Sequence, residues 1–138
     1  MTPIPYAAIQ DIPLVDDEAV RERVADLLVG ACGRELWFMP LDERQCQLRM
    51  LVPVDVSPRP TERQAARFGA LLAEIASGSG SREMIVAFER GGGETVGQGD
   101  RAWFRLLAAV FREAGIRMRG PVLVHDHGAR WVALDDYA

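Results

Sequence analysis

A run of five consecutive apolar residues, at positions 84–88, is the feature that most constrains how this chain can fold. It follows a Ser- and Gly-rich stretch at 77–81 and precedes a glycine-rich segment at 91–99. Unbroken apolar character is typical of a strand that is covered on both faces, whereas a half-exposed strand alternates apolar and polar residues. The run therefore predicts a central strand.

Three amphipathic helices are predicted around this strand, because apolar residues recur there at helical spacing. Asp16 or Asp17 caps the first helix, Thr61 opens the second and Asp100 caps the third. The apolar stripes are Val20, Val24, Leu27 and Leu28 in the first helix, Phe68, Leu71, Leu72 and Ile75 in the second, and Trp103, Leu107, Val110, Phe111 and Ala114 in the third.

Four further strands complete the predicted fold. The segment 35–39 and the even positions of 46–56 form an antiparallel hairpin, in which Pro53 indicates an edge strand or an irregular strand end. A strand over 116–124, interrupted at Gly120 and Pro121, precedes a short last strand over 131–134. The prediction is an α/β (α+β) fold in the order αββαβαββ, with a single mixed sheet of about five strands and three helices.

Length and composition set further limits. The 138 residues predict an extended N-terminal arm over 1–15, which carries three prolines, and a single α/β domain over 16–138. All 16 basic residues are Arg, which excludes Schiff-base and P-loop lysine chemistry. Two cysteines without CxxC spacing, and no signal-like or membrane-length apolar segment, favour a cytoplasmic protein that does not bind membranes. The net charge of −4 disfavours nucleic acid as a partner, although local basic patches are compatible with it.

The glycine-rich segment follows the buried strand and precedes a helix, which is where open α/β sheets hold phosphates. Its glycines do not follow the GxGxxG pattern, however, and Glu89, Glu94 and Asp100 surround it with negative charge. A flexible connection between strand and helix is therefore favoured over a nucleotide site.

The pair His125 and His127, with Asp126 between them, is the candidate metal site. Side chains two residues apart on a strand share a face, so both imidazoles could bind one divalent metal, with Asp135, Asp136 or Glu89 as the third ligand. The spacing is similar to the HxH of JAMM-type metalloproteases, but the aspartate that this family needs, with ten residues between it and the second histidine, falls on Ala138. The alternative is a strand-to-strand turn with two solvated histidines.

Arginines and tryptophans give two weaker indications of binding. Arginines recur on one side of the second and third helices, which is compatible with a nucleic-acid face but also with ordinary solvated helix faces. They are Arg59, Arg63 and Arg67, and Arg101, Arg105 and Arg112. Trp37, Trp103 and Trp131 are interpreted as core or interface residues.

Five segments of the chain resemble a group of small, uncharacterised actinobacterial proteins of unknown function. The segments are 36–41, 48–55, 85–88, 100–103 and 115–120. The resemblance spans residues 20–134 and supports the predicted order of elements. It implies no activity, because no catalytic residue is established for the group.

The sequence therefore predicts a non-enzymatic domain, without a cofactor, that acts by protein–protein association as a homodimer or with another protein partner. Its candidate binding residues are His125, Asp126, His127 and Trp131. The Pro-rich arm, the last strand with Trp131 and a sheet edge offer surfaces for pairing. Two alternatives stay open. One is a small metal-dependent hydrolase centred on His125 and His127, and the other is a nucleic-acid accessory protein.

Overall fold

The computed structural model describes residues 12–28 and 33–138, and its elements follow the order αββαβαββ. The helices are α1 (Asp17–Leu27), α2 (Glu62–Ser79) and α3 (Gln98–Ala114). The strands are β1 (Glu35–Leu41), β2 (Val52–Asp55), β3 (Glu83–Glu89), β4 (Arg117–His125) and β5 (Gly128–Trp131), and a 3-10 turn (Leu134–Asp136) follows them.

The strands form a single mixed sheet in the order β2-β1-β3-β4-β5. β1 is antiparallel to both β2 and β3, β3 and β4 are parallel, and β5 returns antiparallel to β4. Within residues 12–28 and 33–138, the α/β fold class, the single five-stranded sheet and the three helices are confirmed. β2 is an edge strand, as Pro53 indicated.

β3 lies at the centre of the sheet, as the apolar run 84–88 predicts. All five residues are fully buried. Met84, Val86 and Phe88 face the cluster formed with α2 and α3, whereas Ile85 and Ala87 face the cluster formed with α1. The run lacks alternation because helices cover both faces of this strand.

Capping residues set the helix ends where local chemistry predicts them. The Asp16 carboxylate accepts a hydrogen bond from the Ala19 N–H (2.7 Å), so Asp16 caps α1. Thr61 and Gln64 form a reciprocal capping box at the start of α2. α2 ends at Gly80, whose φ of 72° is left-handed and suits glycine. No helix in the described part of the chain is long and apolar enough to cross a membrane.

The interruption predicted at Gly120 and Pro121 is a bulge within a continuous β4. The register against β3 shifts between Ile85 and Ala87, where β4 holds one extra residue. Gly120 has a φ of 134°, and a Cβ there would lie 2.8 Å from the Val86 carbonyl oxygen, so only glycine fits.

Two strand boundaries differ from the prediction. The second strand of the hairpin covers only Val52–Asp55, and Cys46 and Gln47 are both buried although they are neighbours. Residues 42–51 are instead an irregular connection, because the Asp42 carboxylate accepts the Cys46 N–H (2.9 Å) and Arg23 donates to the Gln47 side chain (3.0 Å). The last strand is Gly128–Trp131 rather than 131–134, because β4 runs to His125 and turns back within two residues.

The end of the predicted N-terminal arm lies against the domain. Leu14 is buried, its N–H donates to the Gln45 carbonyl (2.9 Å) and its carbonyl accepts from the buried Arg119 (2.8 Å). Positions 1–11 of the arm lie outside the described residues.

Candidate functional site

The strand-end cluster is the first candidate site, and it comprises the carboxyl ends of β3 and β4, loop 91–97 and the first turn of α3. Open α/β sheets commonly bind ligands at this position, where parallel strands end and a helix begins. Here the loop encloses the guanidinium of Arg90, which is only 7% exposed.

The guanidinium of Arg90 donates hydrogen bonds to the loop and to α3. It donates to the carbonyls of Gly91 (3.1 Å), Gly93 (2.6 Å) and Thr95 (2.8 Å). It also pairs with the Asp100 carboxylate, which is 6% exposed, at 2.9 Å. Asp100 in turn accepts the Gly97 N–H (2.9 Å). The N-cap of α3 is therefore Gly97, and Asp100, which was predicted to be the cap, is the third residue of the helix.

This geometry is opposite to that of a phosphate loop. A phosphate is held by backbone N–H groups that point inward, whereas here three carbonyls point inward and receive a cation that the chain itself supplies. The loop is held by side-chain contacts, so the expected flexible connection is instead an ordered one. Neither Arg90 nor its pairing with Asp100 was predicted from the sequence.

Asp126 and the two histidines lie beside this loop, in the turn between β4 and β5. The Asp126 carboxylate accepts the Gly92 N–H (3.0 Å), and its own N–H donates to the Gly92 carbonyl (3.0 Å). The N–H of His127 donates to Nδ1 of His125 (3.2 Å). Asp126 therefore joins the turn to the glycine-rich loop, and one histidine nitrogen is already used within the turn.

The candidate metal ligands do not lie together in the structure as the sequence analysis considered. β4 ends at His125, so the exposed His127 lies in the turn and not on the same strand. Two of the three suggested third ligands have other partners, since Glu89 accepts from Trp37 (3.2 Å) and Asp136 pairs with Arg130 (3.1 Å), and the third, Asp135, is exposed. Within the described ranges no three His, Cys, Asp or Glu residues come together as a metal site.

The candidate binding residues are divided between the two faces of the sheet. Trp131 pairs with Val122 in the sheet, is half-buried and packs against the cluster beneath α1. His125 lies three residues further along β4, so its side chain lies on the opposite face. Trp131 and the histidine turn therefore do not form one binding surface.

Three of the six arginines that recur along the second and third helices form hydrogen bonds within the molecule. Arg101 donates to the Asp136 carbonyl (3.1 Å), Arg105 donates to the Tyr137 carbonyl, and Arg59 donates to the Gln98 side chain (3.2 Å). These contacts hold the C-terminal turn and the β2–α2 connection against α3. Arg63, Arg67 and Arg112 are exposed.

A groove between the edge strand β2 and helix α2 is the second candidate site, and we call it the β2–α2 groove. Its volume is about 600 Å³, compared with about 360 Å³ and 240 Å³ for two other clefts of the molecule. Its apolar walls come from Val52 and Val54 on β2 and from Phe68 and Leu71 on α2. Asp55, Arg67 and Glu74 also line it.

The outer edge of β2 borders this groove. Val56 donates to the Arg34 carbonyl (3.4 Å), and bonds between antiparallel strands recur at every second residue. Val52 and Val54 therefore bond to β1, whereas the backbone groups of Leu51, Pro53 and Asp55 point outward. Pro53 has no N–H to offer, so the open edge has a gap at its middle.

No family model matches this chain, and neither curated proteins nor solved structures show a similar protein.

Proposed function

We propose that this protein is a non-enzymatic association domain that binds another polypeptide in the β2–α2 groove, and that it acts in the cytoplasm. The observation that carries the proposal is the position of the groove, which has apolar walls and lies beside the open edge of β2. A strand edge next to a helix is one of the recurring ways in which proteins bind extended peptides.

The chemistry of the groove suits an extended apolar segment. The backbone of Leu51 and Asp55 offers donors and acceptors to an added strand, and Pro53 offers a carbonyl alone. Val54 and Leu71 would contact alternate side chains of that segment. The missing N–H at Pro53 disfavours pairing with arbitrary strands, so the groove walls would supply most of the selectivity.

The strand-end cluster supports the same proposal by contrast. Arg90 and Asp100 satisfy each other there, and Asp126 is used by the neighbouring loop. The functional alternatives, a metal-dependent hydrolase and a nucleic-acid accessory protein, gain no specific observation. Association through the groove is the function that the geometry favours.

The test is a selection of extended peptides from a random library on the immobilised protein, with affinity measured by fluorescence anisotropy. Leu71→Arg places a charge on the groove wall and should weaken binding at least about tenfold, which is about 1.4 kcal/mol. Ala73→Arg is the matched control, because Ala73 is exposed on α2 and does not line the groove.

Two results would contradict the proposal. One is a wild type that stays monomeric in sedimentation velocity and binds no selected peptide more tightly than Leu71→Arg does. The other is a selected peptide that perturbs the backbone amide resonances of the strand-end cluster but not those of Val52, Val54 and Asp55.

A further inference from the structure

We propose that the polypeptide bound in the β2–α2 groove is a second copy of this chain, so that the protein is a two-fold symmetric dimer. This inference rests on the proposed function, because it needs the groove to be a binding surface. It adds the identity of the partner, which follows from how charge is distributed along α2.

Arg67 and Glu74 are the two charged residues of α2 that line the groove, and both are exposed. They lie seven residues apart, so their backbones are separated by about 10.5 Å along the helix. Neither side chain has a hydrogen bond or ion pair with any residue in 12–28 or 33–138. One surface thus carries a positive and a negative group, each without an internal partner.

A two-fold axis would satisfy both groups at once. In a symmetric dimer, if residue i contacts residue j, then j also contacts i. With two α2 helices antiparallel and the axis between Ala70 and Leu71, Arg67 lies opposite Glu74 of the partner subunit, and the reverse pair forms as well. Ala70 has a small side chain at the centre of this surface, so the two helices could approach closely.

The same axis brings the two β2 edges together. A pairing centred on Pro53 places Leu51 opposite Asp55 of the partner subunit, where both residues offer outward backbone groups. At the axis each Pro53 carbonyl faces a proline that has no N–H, so the inter-strand hydrogen bonds of this pairing come from the Leu51 and Asp55 pairs on either side. The two five-stranded sheets would become one ten-stranded sheet with α2 helices packed on one face.

An unrelated peptide would account less well for the arrangement of charges in the groove. Its charge would have to match Arg67 at one end of the groove and Glu74 at the other, whereas a second copy supplies both complements by symmetry. A net charge of −4 for each subunit does not prevent association at ordinary ionic strength, where charges beyond about 8 Å are screened.

The experiment exchanges the two charges and measures association by sedimentation velocity and native mass spectrometry on the full chain. Arg67→Glu and Glu74→Arg each place like charges opposite one another, and each should weaken self-association about tenfold or more. A mixture of the two variants restores complementary pairs, because one variant then carries only glutamate at these two positions and the other carries only arginine. The mixture should therefore form heterodimers at the concentration where neither variant dimerises alone.

The double variant Arg67→Glu with Glu74→Arg should dimerise as wild type does, and Arg63→Glu, which changes an exposed arginine outside the groove, is the control. Circular dichroism of each variant separates lost association from lost folding. The heterodimer itself reports on folding, since two misfolded variants would not restore each other.

The outcomes distinguish the two proposals. The symmetric dimer is overturned if wild type is monomeric. It is also overturned if wild type is a dimer but Arg67→Glu, Glu74→Arg and their mixture all associate as strongly as wild type does. If selected peptides still bind wild type and fail to bind Leu71→Arg, the groove remains a site for another partner. If peptides also fail, the proposed function is wrong as well. Recovery of association in the mixture supports the dimer.

Discussion

The strand-end cluster and the β2–α2 groove lie at different places in one sheet and differ in how their polar groups are satisfied. In the cluster, the buried Arg90 binds three carbonyls and the Asp100 carboxylate. In the groove, Arg67 and Glu74 have no partner among the described residues. The cluster lies where α/β proteins commonly bind ligands, but its polar groups already have partners. The charged groups of the groove remain available to bind another molecule.

This difference shows why position in a fold does not establish a site. A buried charge must be paired and hydrogen-bonded, so Arg90 and Asp100 make the cluster a structural element whose loss should affect folding. Exposed charges and a strand edge cost little when they stay in water, so changes in the groove should affect association and leave the fold nearly intact. Each region is thus expected to fail in a different assay.

The largest expected effect is that of Arg90→Met. The substitution leaves the Asp100 carboxylate buried without its cation and removes the donor from three loop carbonyls. Breaking a buried ion pair by removing one partner costs about 3–5 kcal/mol. The free energy of unfolding, measured by urea denaturation, should fall by that amount.

The double variant Arg90→Met with Asp100→Leu tests whether the unpaired charge causes this loss. Removing both charges should recover part of the stability, because no ionised group is left buried. Exposed Arg112→Met on α3 is the control and should change the unfolding free energy by less than about 0.5 kcal/mol. If Arg90→Met were as stable as this control, the cluster would not be the structural element described above.

Much of the fold could be predicted because its determinants are local. The apolar run 84–88 identified the central strand, the Asp16 and Thr61 caps fixed two helix starts, and Pro53 indicated the edge strand. The connection 42–51 could not be predicted, because side chains distant in sequence hold it. Its even positions from 46 to 50 are apolar, which is typical of a strand, but the Gln47 side chain accepts a hydrogen bond from Arg23 of α1.

The candidate site was harder to predict, for a related physical reason. Arg90 acts through backbone carbonyls, which every residue has, so no spacing of residue types indicates its role. His125 and His127 have the right spacing for an extended strand, but the chain turns after His125 and the spacing loses its meaning. The groove depends on α2 packing beside an edge strand, and no short segment of sequence encodes that arrangement.

The second prediction concerns the contact between α3 and the β2–α2 connection, at Gly99 in the first turn of α3. A Cβ at this position would clash with the Pro58 carbonyl oxygen in the connection between β2 and α2. The same connection accepts a hydrogen bond from the Trp103 indole at the Ser57 carbonyl (2.8 Å). Gly99→Ala should therefore lower the unfolding free energy by about 1–3 kcal/mol.

Gly69→Ala is the matched control in the middle of α2. A Cβ at Gly69 would meet nothing within 4 Å, so the change should stabilise the protein by about 0.5–1 kcal/mol through helix propensity. Both variants are followed by urea denaturation. A loss of stability in Gly69→Ala equal to that in Gly99→Ala would show that contact with Pro58 is not the cause.

The smallest expected effect is that of Asp126→Ala, which removes the link between the β4–β5 turn and the glycine-rich loop. The carboxylate accepts the exposed Gly92 N–H (3.0 Å), and a hydrogen bond of this kind contributes about 0.5–1.5 kcal/mol. The backbone bond from the Asp126 N–H to the Gly92 carbonyl persists, so the loss should be confined to this loop. Hydrogen exchange at the Gly92 amide should become faster while exchange in β3 is unchanged, because local opening needs less energy than global unfolding. Association through the β2–α2 groove should stay at the wild-type level, and a weaker dimer in Asp126→Ala would show that the two regions are coupled and that the groove is not an independent surface.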